Sequence, residues 1–186
     1  MNVLRSRALR LAVNLLAFQA AWFACVIGAA KGVPDIGLAA VVAAVALHLG
    51  LSPVRAADAL LAGAALLIGF AWDSLLAHVG LVEYASPGPL PGWAPPWILA
   101  LWALFATTLR EPLRWLHGRP LLGALLGAIG GPLSYASAER LGACRIPHLW
   151  QAMLALALGW AVIVPLLIES TRRLTVRASA LRGAWR

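Results

Sequence analysis

Polar residues are sparse along this chain and fall at intervals, leaving apolar runs of roughly the length a bilayer core requires. Six such runs can be read: Leu11–Ala30, Pro34–Leu51, Pro53–Val79, Pro95–Leu113, Pro120–Ser137 and Pro147–Glu169. Five of them open on a proline, a residue suited to the first helical turn because its missing N–H is not needed there. Ser52, just before Pro53, is placed as an N-cap. The pattern predicts an all-α fold, a single integral-membrane domain built as a six-helix transmembrane bundle. The longest gap, Gly80–Ala94, holds Pro87, Pro89 and Pro91 with Gly88 and Gly92, which predicts a stiff, irregular loop.

Composition agrees with the pattern. The 186 residues are 62% hydrophobic and 12% charged, with a mean hydropathy of +0.84. A soluble domain of this size cannot hide so much apolar surface. The net charge of +8 does not indicate nucleic acid, because the basic residues flank the apolar runs and form no patch with an aromatic reading face. Membrane lipids, through their anionic headgroups, are the expected partner. With the N-terminus inside, the inner segments carry Arg5, Arg7, Arg10, Arg55, Arg110, Arg114, Arg119, Arg172, Arg173, Arg177, Arg182 and Arg186. Lys31, Arg140 and Arg145 are left outside. This bias predicts that both termini are cytoplasmic. The N-terminus imitates a signal peptide, with its arginines and the small residues Gly28, Ala29 and Ala30. The long apolar run interrupted by Asn14 and Gln19 favours a retained first helix instead.

Against this background one residue stands out. Asp73 follows fourteen residues, Ala59–Trp72, without a charge, whereas the other six carboxylates sit at or near the ends of apolar runs. A carboxylate within a span costs about 2.5–3.5 kcal/mol on insertion scales and as a rule faces a bundle interior or a wet cavity. Ala65, Gly69, Asp73 and Ala77 recur every four residues and share one helix face. Asp73 should lie about 9 Å below the outer end. His78 lies on a different face. The alternative is that Asp73 only satisfies a neighbouring donor and fixes packing.

In the fifth run Gly123, Gly127 and Gly131 form a stripe for close helix packing. Gly130-Gly131-Pro132 then predicts either a broken helix of the kind transporters use for binding or a plain kink. Ser134 and Tyr135 follow at a depth similar to Asp73. Asn14 is assigned to packing through amide hydrogen bonds, a role Gln19 could share. Trp93, Trp97, Trp115 and Trp150 fit interfacial belts, whereas Trp22, Trp72, Trp102 and Trp160 lie deeper. Two readings of the deeper set stand: core packing, or an outward-facing aromatic pocket. That pocket would have Asp73 as its floor and Tyr135, Glu139, Arg140, His148 and Gln151 near its mouth. The candidate ligand-binding set is therefore Asp73, Trp72, Ser134, Tyr135, Gln19, Trp22, Trp102 and Glu139.

Catalytic and metal signatures are missing. Neither Cys25 nor Cys144 has metal spacing, though both fall on the expected outer side, where a disulfide is geometrically allowed. His48, His78, His117 and His148 are scattered over different segments, with His48 expected at the inner interface. Asp73, His78 and Ser134 could be drawn as a triad, but nothing in the sequence fixes their geometry. No catalytic residue, cofactor or metal is assigned.

Asn14-x3-Phe18-Gln19-x2-Trp22-Phe23, Gly69-x2-Trp72-Asp73, Pro96-Trp97-x4-Trp102-x2-Phe105-Ala106, Gly131-Pro132-x-Ser134-Tyr135 and Trp160 together resemble a bacterial domain-of-unknown-function family of small polytopic inner-membrane proteins. The resemblance spans residues 11–165 and implies a multi-pass protein of the bacterial inner membrane. It also implies a lipid-linked role, with lipid-modifying enzymes as partners. In size and layout the chain resembles, more loosely, the substrate-binding subunits of energy-coupling-factor transporters. Those dock a partner through small residues, a part that Ala17-x3-Ala21 or Ala20-x3-Ala24 could play here. Three functions follow as expectations: a binding or passage protein for a small apolar or lipidic molecule, an accessory subunit for lipid-modifying enzymes, or a membrane enzyme acting on lipid.

Overall fold

In a computed structural model the described residues form six α-helices: α1 (Arg7–Ala30), α2 (Pro34–Leu51), α3 (Arg55–His78), α4 (Pro96–Ala106), α5 (Pro120–Arg140) and α6 (Leu149–Gly183). The structure describes residues 7–183, with side chains from 9 to 176. Arg5, Trp185 and Arg186, and the side chains of Arg7, Arg177 and Arg182, lie outside the described residues. Among the described residues five helices are long and apolar enough to cross a membrane. By length and composition this is a multi-pass membrane protein. Its apolar exterior fits that setting, with Leu16, Leu67, Leu121, Leu154 and Leu158 all exposed.

The fourth run departs from expectation. Its helix ends at Ala106 after 11 residues, not at Leu113. Pro112 supplies the reason, since in a continuing helix its ring would strike the carbonyl of Thr108. That carbonyl instead accepts the Leu113 N–H at 2.9 Å. The hydroxyls of Thr107 and Thr108 turn back onto the carbonyls of Leu104 and Phe105, both at 2.7 Å. The segment still runs the length of its neighbour. The Ala94 N–H reaches Ser74 Oγ at one end of α3, and Arg110 reaches Asp58 at the other. Those α3 residues are sixteen apart, about 24 Å.

Other boundaries shift as well. Proline opens only α2, α4 and α5. Pro53 and Pro147 precede their helices, which begin at Arg55 and Leu149. Ser52 does not cap α3; its Oγ accepts the Val54 N–H at 2.9 Å in the preceding turn. The last helix runs well past Glu169, where Glu169 pairs with Arg172 and Arg173 on its exposed surface.

α1 packs mainly on α2, α3 on α4, and α5 on α6. Gly37 admits the backbone of α1, because a Cβ there would overlap Cys25. Ala21 is buried within the bundle, so the Ala17-x3-Ala21 pair is not an open docking face. α5 is continuous through Pro132, so Gly130-Gly131-Pro132 does not break it. Its glycine stripe meets α6: Gly127 faces the backbone of Trp160, Gly131 its indole ring, and Gly123 Pro165 and Ile168.

The loop between α3 and α4 is not wholly irregular. Glu83–Tyr84 (β1) pairs antiparallel with Cys144–Arg145 (β2), a two-stranded ladder between the α3–α4 and α5–α6 connections. Ser86 in this loop donates to Ala29 O at 2.7 Å and accepts the Trp97 indole N–H at 3.0 Å. Trp97 is therefore core, only 2% exposed, and not part of an interfacial belt. Trp93, Trp115 and Trp150 are exposed, as a belt requires.

Candidate functional site

Asp73 is completely buried, at 0% exposure. Its helix face is the one predicted, with Ala65 and Gly69 buried beside it, and Gly69 lies flat against the Trp102 ring. Three donors converge on the carboxylate. The Trp102 indole N–H reaches Oδ2 at 2.6 Å. The Tyr84 hydroxyl donates to Oδ1 at 2.7 Å, and the Tyr135 hydroxyl makes a very short bond to the same oxygen. An indole N–H can only donate, so Oδ2 must accept. Among the described residues no basic side chain joins the group. Arg145, next to the Cys144 that pairs with Tyr84 in the ladder, places its guanidinium on Glu83 at 2.7 and 2.9 Å.

The side chains that hold Asp73 also line a groove. Its upper part, by the β ladder, is walled by Trp22, Val26, Tyr84, Trp97, Tyr135 and Cys144. Its lower part is walled by Phe18, Trp102, Phe105 and Trp160. Trp22, Ile98, Leu101, Ser134 and Tyr135 border both, so the two parts adjoin. They hold about 270 and 400 Å³ of atom-free space, counting the open side. The groove exists because α1 packs on α2 and α5 on α6, with α4 set behind them. The rings form its corners: Tyr84 stands perpendicular to Trp97 at 5.6 Å between centroids, and Trp102 stacks on Trp160 at 4.6 Å. Burial, with the Asp73 carboxylate alongside, keeps the Tyr84 hydroxyl protonated far above the usual phenol range.

Of the residues singled out in the sequence, the structure gathers Asp73, Trp22, Trp102, Ser134 and Tyr135 at this groove. It sets the others apart. Gln19 is exposed on another face of α1. Trp72 packs against Gly159 of α6, on the far side of α3. Glu139 accepts the Ile146 backbone N–H at 2.7 Å, fixing the turn after α5. Arg140, His148 and Gln151 are exposed. His78 bonds the Ser74 carbonyl through Nδ1 at 2.8 Å, so no Asp73–His78–Ser134 triad forms. Tyr84 is the partner that sequence reasoning missed.

Cys25 and Cys144 are both free and buried, so the disulfide is not made. The Cys144 thiol, in the groove wall, is pushed up to about 12, first by burial and then by Glu139 and Asp73. No group of three or more histidines, cysteines or carboxylates suited to a metal occurs among the described residues.

A second polar cluster lies at the opposite end of the bundle. Asp58 accepts Arg110 Nε at 2.9 Å and the same side chain's terminal nitrogen at 2.8 Å. His48 contacts Asp58 through Nε2 at 3.2 Å and Asn14 through Nδ1 at 3.0 Å. Asn14 Nδ2 also reaches Thr107 O at 3.3 Å, where α4 unwinds. His48 is thus part of a half-buried network and not simply interfacial. Asn14, His48, Thr107 and Arg110, with Arg10, Ser52 and Glu111, line an open cavity between α1, α2 and α4.

The model of a family described as "Protein of unknown function (DUF2878)" matches residues 11–166. No curated protein and no solved structure matches the chain.

Proposed function

This chain belongs to the DUF2878 family of proteins of unknown function, and we propose that it binds or passes a small apolar or lipidic molecule in the aromatic groove between α1 and α5. The groove faces outward, both termini are cytoplasmic, and the protein sits in the bacterial inner membrane. The observation that carries this reading is the double use of Trp102 and Tyr135. The same two side chains hold a fully buried carboxylate and wall an open apolar groove. A carboxylate needed only for packing has no reason to be held at a groove wall, and intramembrane ionisable groups mark sites by default. The walls are almost wholly hydrocarbon and aromatic, as small-molecule pockets are. Binding is the chemistry this favours, because the side chains that hydrogen-bond Asp73 are two tyrosines and a tryptophan.

The test compares wild type with Ser134→Trp, which fills the groove. Both are extracted together with native lipid and their bound molecules identified by mass spectrometry. Wild type should retain a discrete molecule enriched over bulk lipid, and the filled variant, melting like wild type, should not. Identical contents matching bulk membrane would overturn the reading. Orientation is checked with an impermeant maleimide on intact cells, which should label Glu83→Cys and leave Arg173→Cys unmodified.

A further inference from the structure

We infer that the upper part of the groove takes the cationic head of an amphiphile, an amine or quaternary ammonium group, while its hydrocarbon part lies along the lower aromatic walls. This deepens the binding reading above and rests on it.

The first ground is charge. Asp73 has three neutral donors and no cation. Two basic side chains flanking the elements around it are committed elsewhere, Arg145 to Glu83 and Arg110 to Asp58. The one other buried aspartate, Asp58, has its counter-charge built in. Of these two buried aspartates, Asp73 is the one without a counter-charge among the described residues.

The second ground is the wall. Trp22, Tyr84, Trp97 and Tyr135 border one cavity, with Tyr84 and Trp97 set at 84° to each other. Aromatic faces are negative, and several set around one space form the arrangement that receives quaternary ammonium groups. The two tyrosines add to this. Each donates its hydroxyl to Asp73 while its ring borders the cavity, so the carboxylate's field reaches the space through the phenols. The remaining lining offers no positive charge to an anion: aliphatic side chains, the Ser134 hydroxyl and the thiol of Cys144. An anionic head would meet repulsion, a neutral head would gain little, and a cation would gain from both the rings and the carboxylate.

The experiment uses the full chain in phosphatidylcholine nanodiscs, with empty discs as the blank. Decyltrimethylammonium, decyl maltoside and decyl sulfate are titrated below their micelle-forming concentrations, and binding is read by calorimetry. Wild type should bind the ammonium at least about tenfold more tightly than the other two, the scale of one charge pair in a partly screened site. Asp73→Asn should bring the three heads close together. Trp22→Leu, which leaves the carboxylate and its donors in place, should weaken the ammonium alone. If the three heads bind wild type equally, or if Trp22→Leu leaves ammonium binding unchanged, the cationic-head inference falls and the groove reading survives. If none of the three binds above the blank, both fall.

Discussion

Arg110 grips Asp58 with two parallel hydrogen bonds, at 2.9 and 2.8 Å, across 52 residues of sequence. It ties the unwound end of α4 to the first turn of α3. Both side chains are close to fully buried. Removing one partner of such a pair leaves an uncompensated charge, which costs about 3–5 kcal/mol. Arg110→Ala should therefore lower thermal stability in detergent sharply. Asp58→Asn combined with Arg110→Gln should cost less than the sum of the two single changes, because neither half is then left charged and alone.

At Asp73 the three donors can be removed singly. Tyr84→Phe, Tyr135→Phe and Trp102→Phe each delete a hydrogen bond to the carboxylate, and bonds to charged groups contribute about 1.5–3 kcal/mol. Each variant should melt below wild type. Once Asp73 is replaced by asparagine, the tyrosine changes should cost distinctly less, a coupling that a double-mutant cycle reads directly.

The glycines of α5 are not equivalent. A Cβ at Gly127 would run into the carbonyl of Trp160, a backbone atom that cannot move aside, whereas a Cβ at Gly130 meets nothing within 4 Å. Gly127→Ala should destabilise by about 1–3 kcal/mol through overpacking. Gly130→Ala should be neutral or stabilising by up to about 1 kcal/mol, since alanine is the better helix former. The Gly127 variant should melt below wild type and the Gly130 variant at or above it.

Thiol chemistry gives a pH-dependent readout. Only the thiolate attacks maleimide. With the Cys144 thiol held near about 12, the reactive form is scarce at pH 8 and rises about tenfold per pH unit. In the folded protein N-ethylmaleimide should label Cys144 slowly at pH 8 and faster at pH 9. Unfolding in dodecyl sulfate should abolish the protection. Intact mass before labelling should show two free thiols and no disulfide.

Much of this arrangement was legible in the sequence. Helical periodicity alone put Asp73 on the face of Gly69, and the shared depth of Tyr135 pointed to it as a neighbour. Tyr84 was hidden because it lies on a loop, and its return toward α3 depends on pairing with Cys144, a contact sixty residues away that no local pattern carries. The Asn14–His48–Asp58–Arg110 cluster was hidden for a similar reason, since its members belong to four segments and each has an ordinary reading alone. The available signal was that Asp58, His48 and Arg110 were all expected at the inner end, where an acid and a base close to the membrane tend to pair. The early end of α4 was readable in Thr107-Thr108 and Pro112, but the apolar count outweighed them.

Every side chain that hydrogen-bonds Asp73 lies later in the chain: Tyr84, Trp102 and, last, Tyr135. A ribosome that threads this protein into a membrane therefore releases α3 with a naked carboxylate and completes its shell only after α5 has emerged. Until then α3 carries an unpartnered carboxylate, and α5, which α6 then backs through its glycine stripe, is the part that closes the shell. Biogenesis of this protein thus has a direction, in which the second half of the chain rescues a residue laid down in the first.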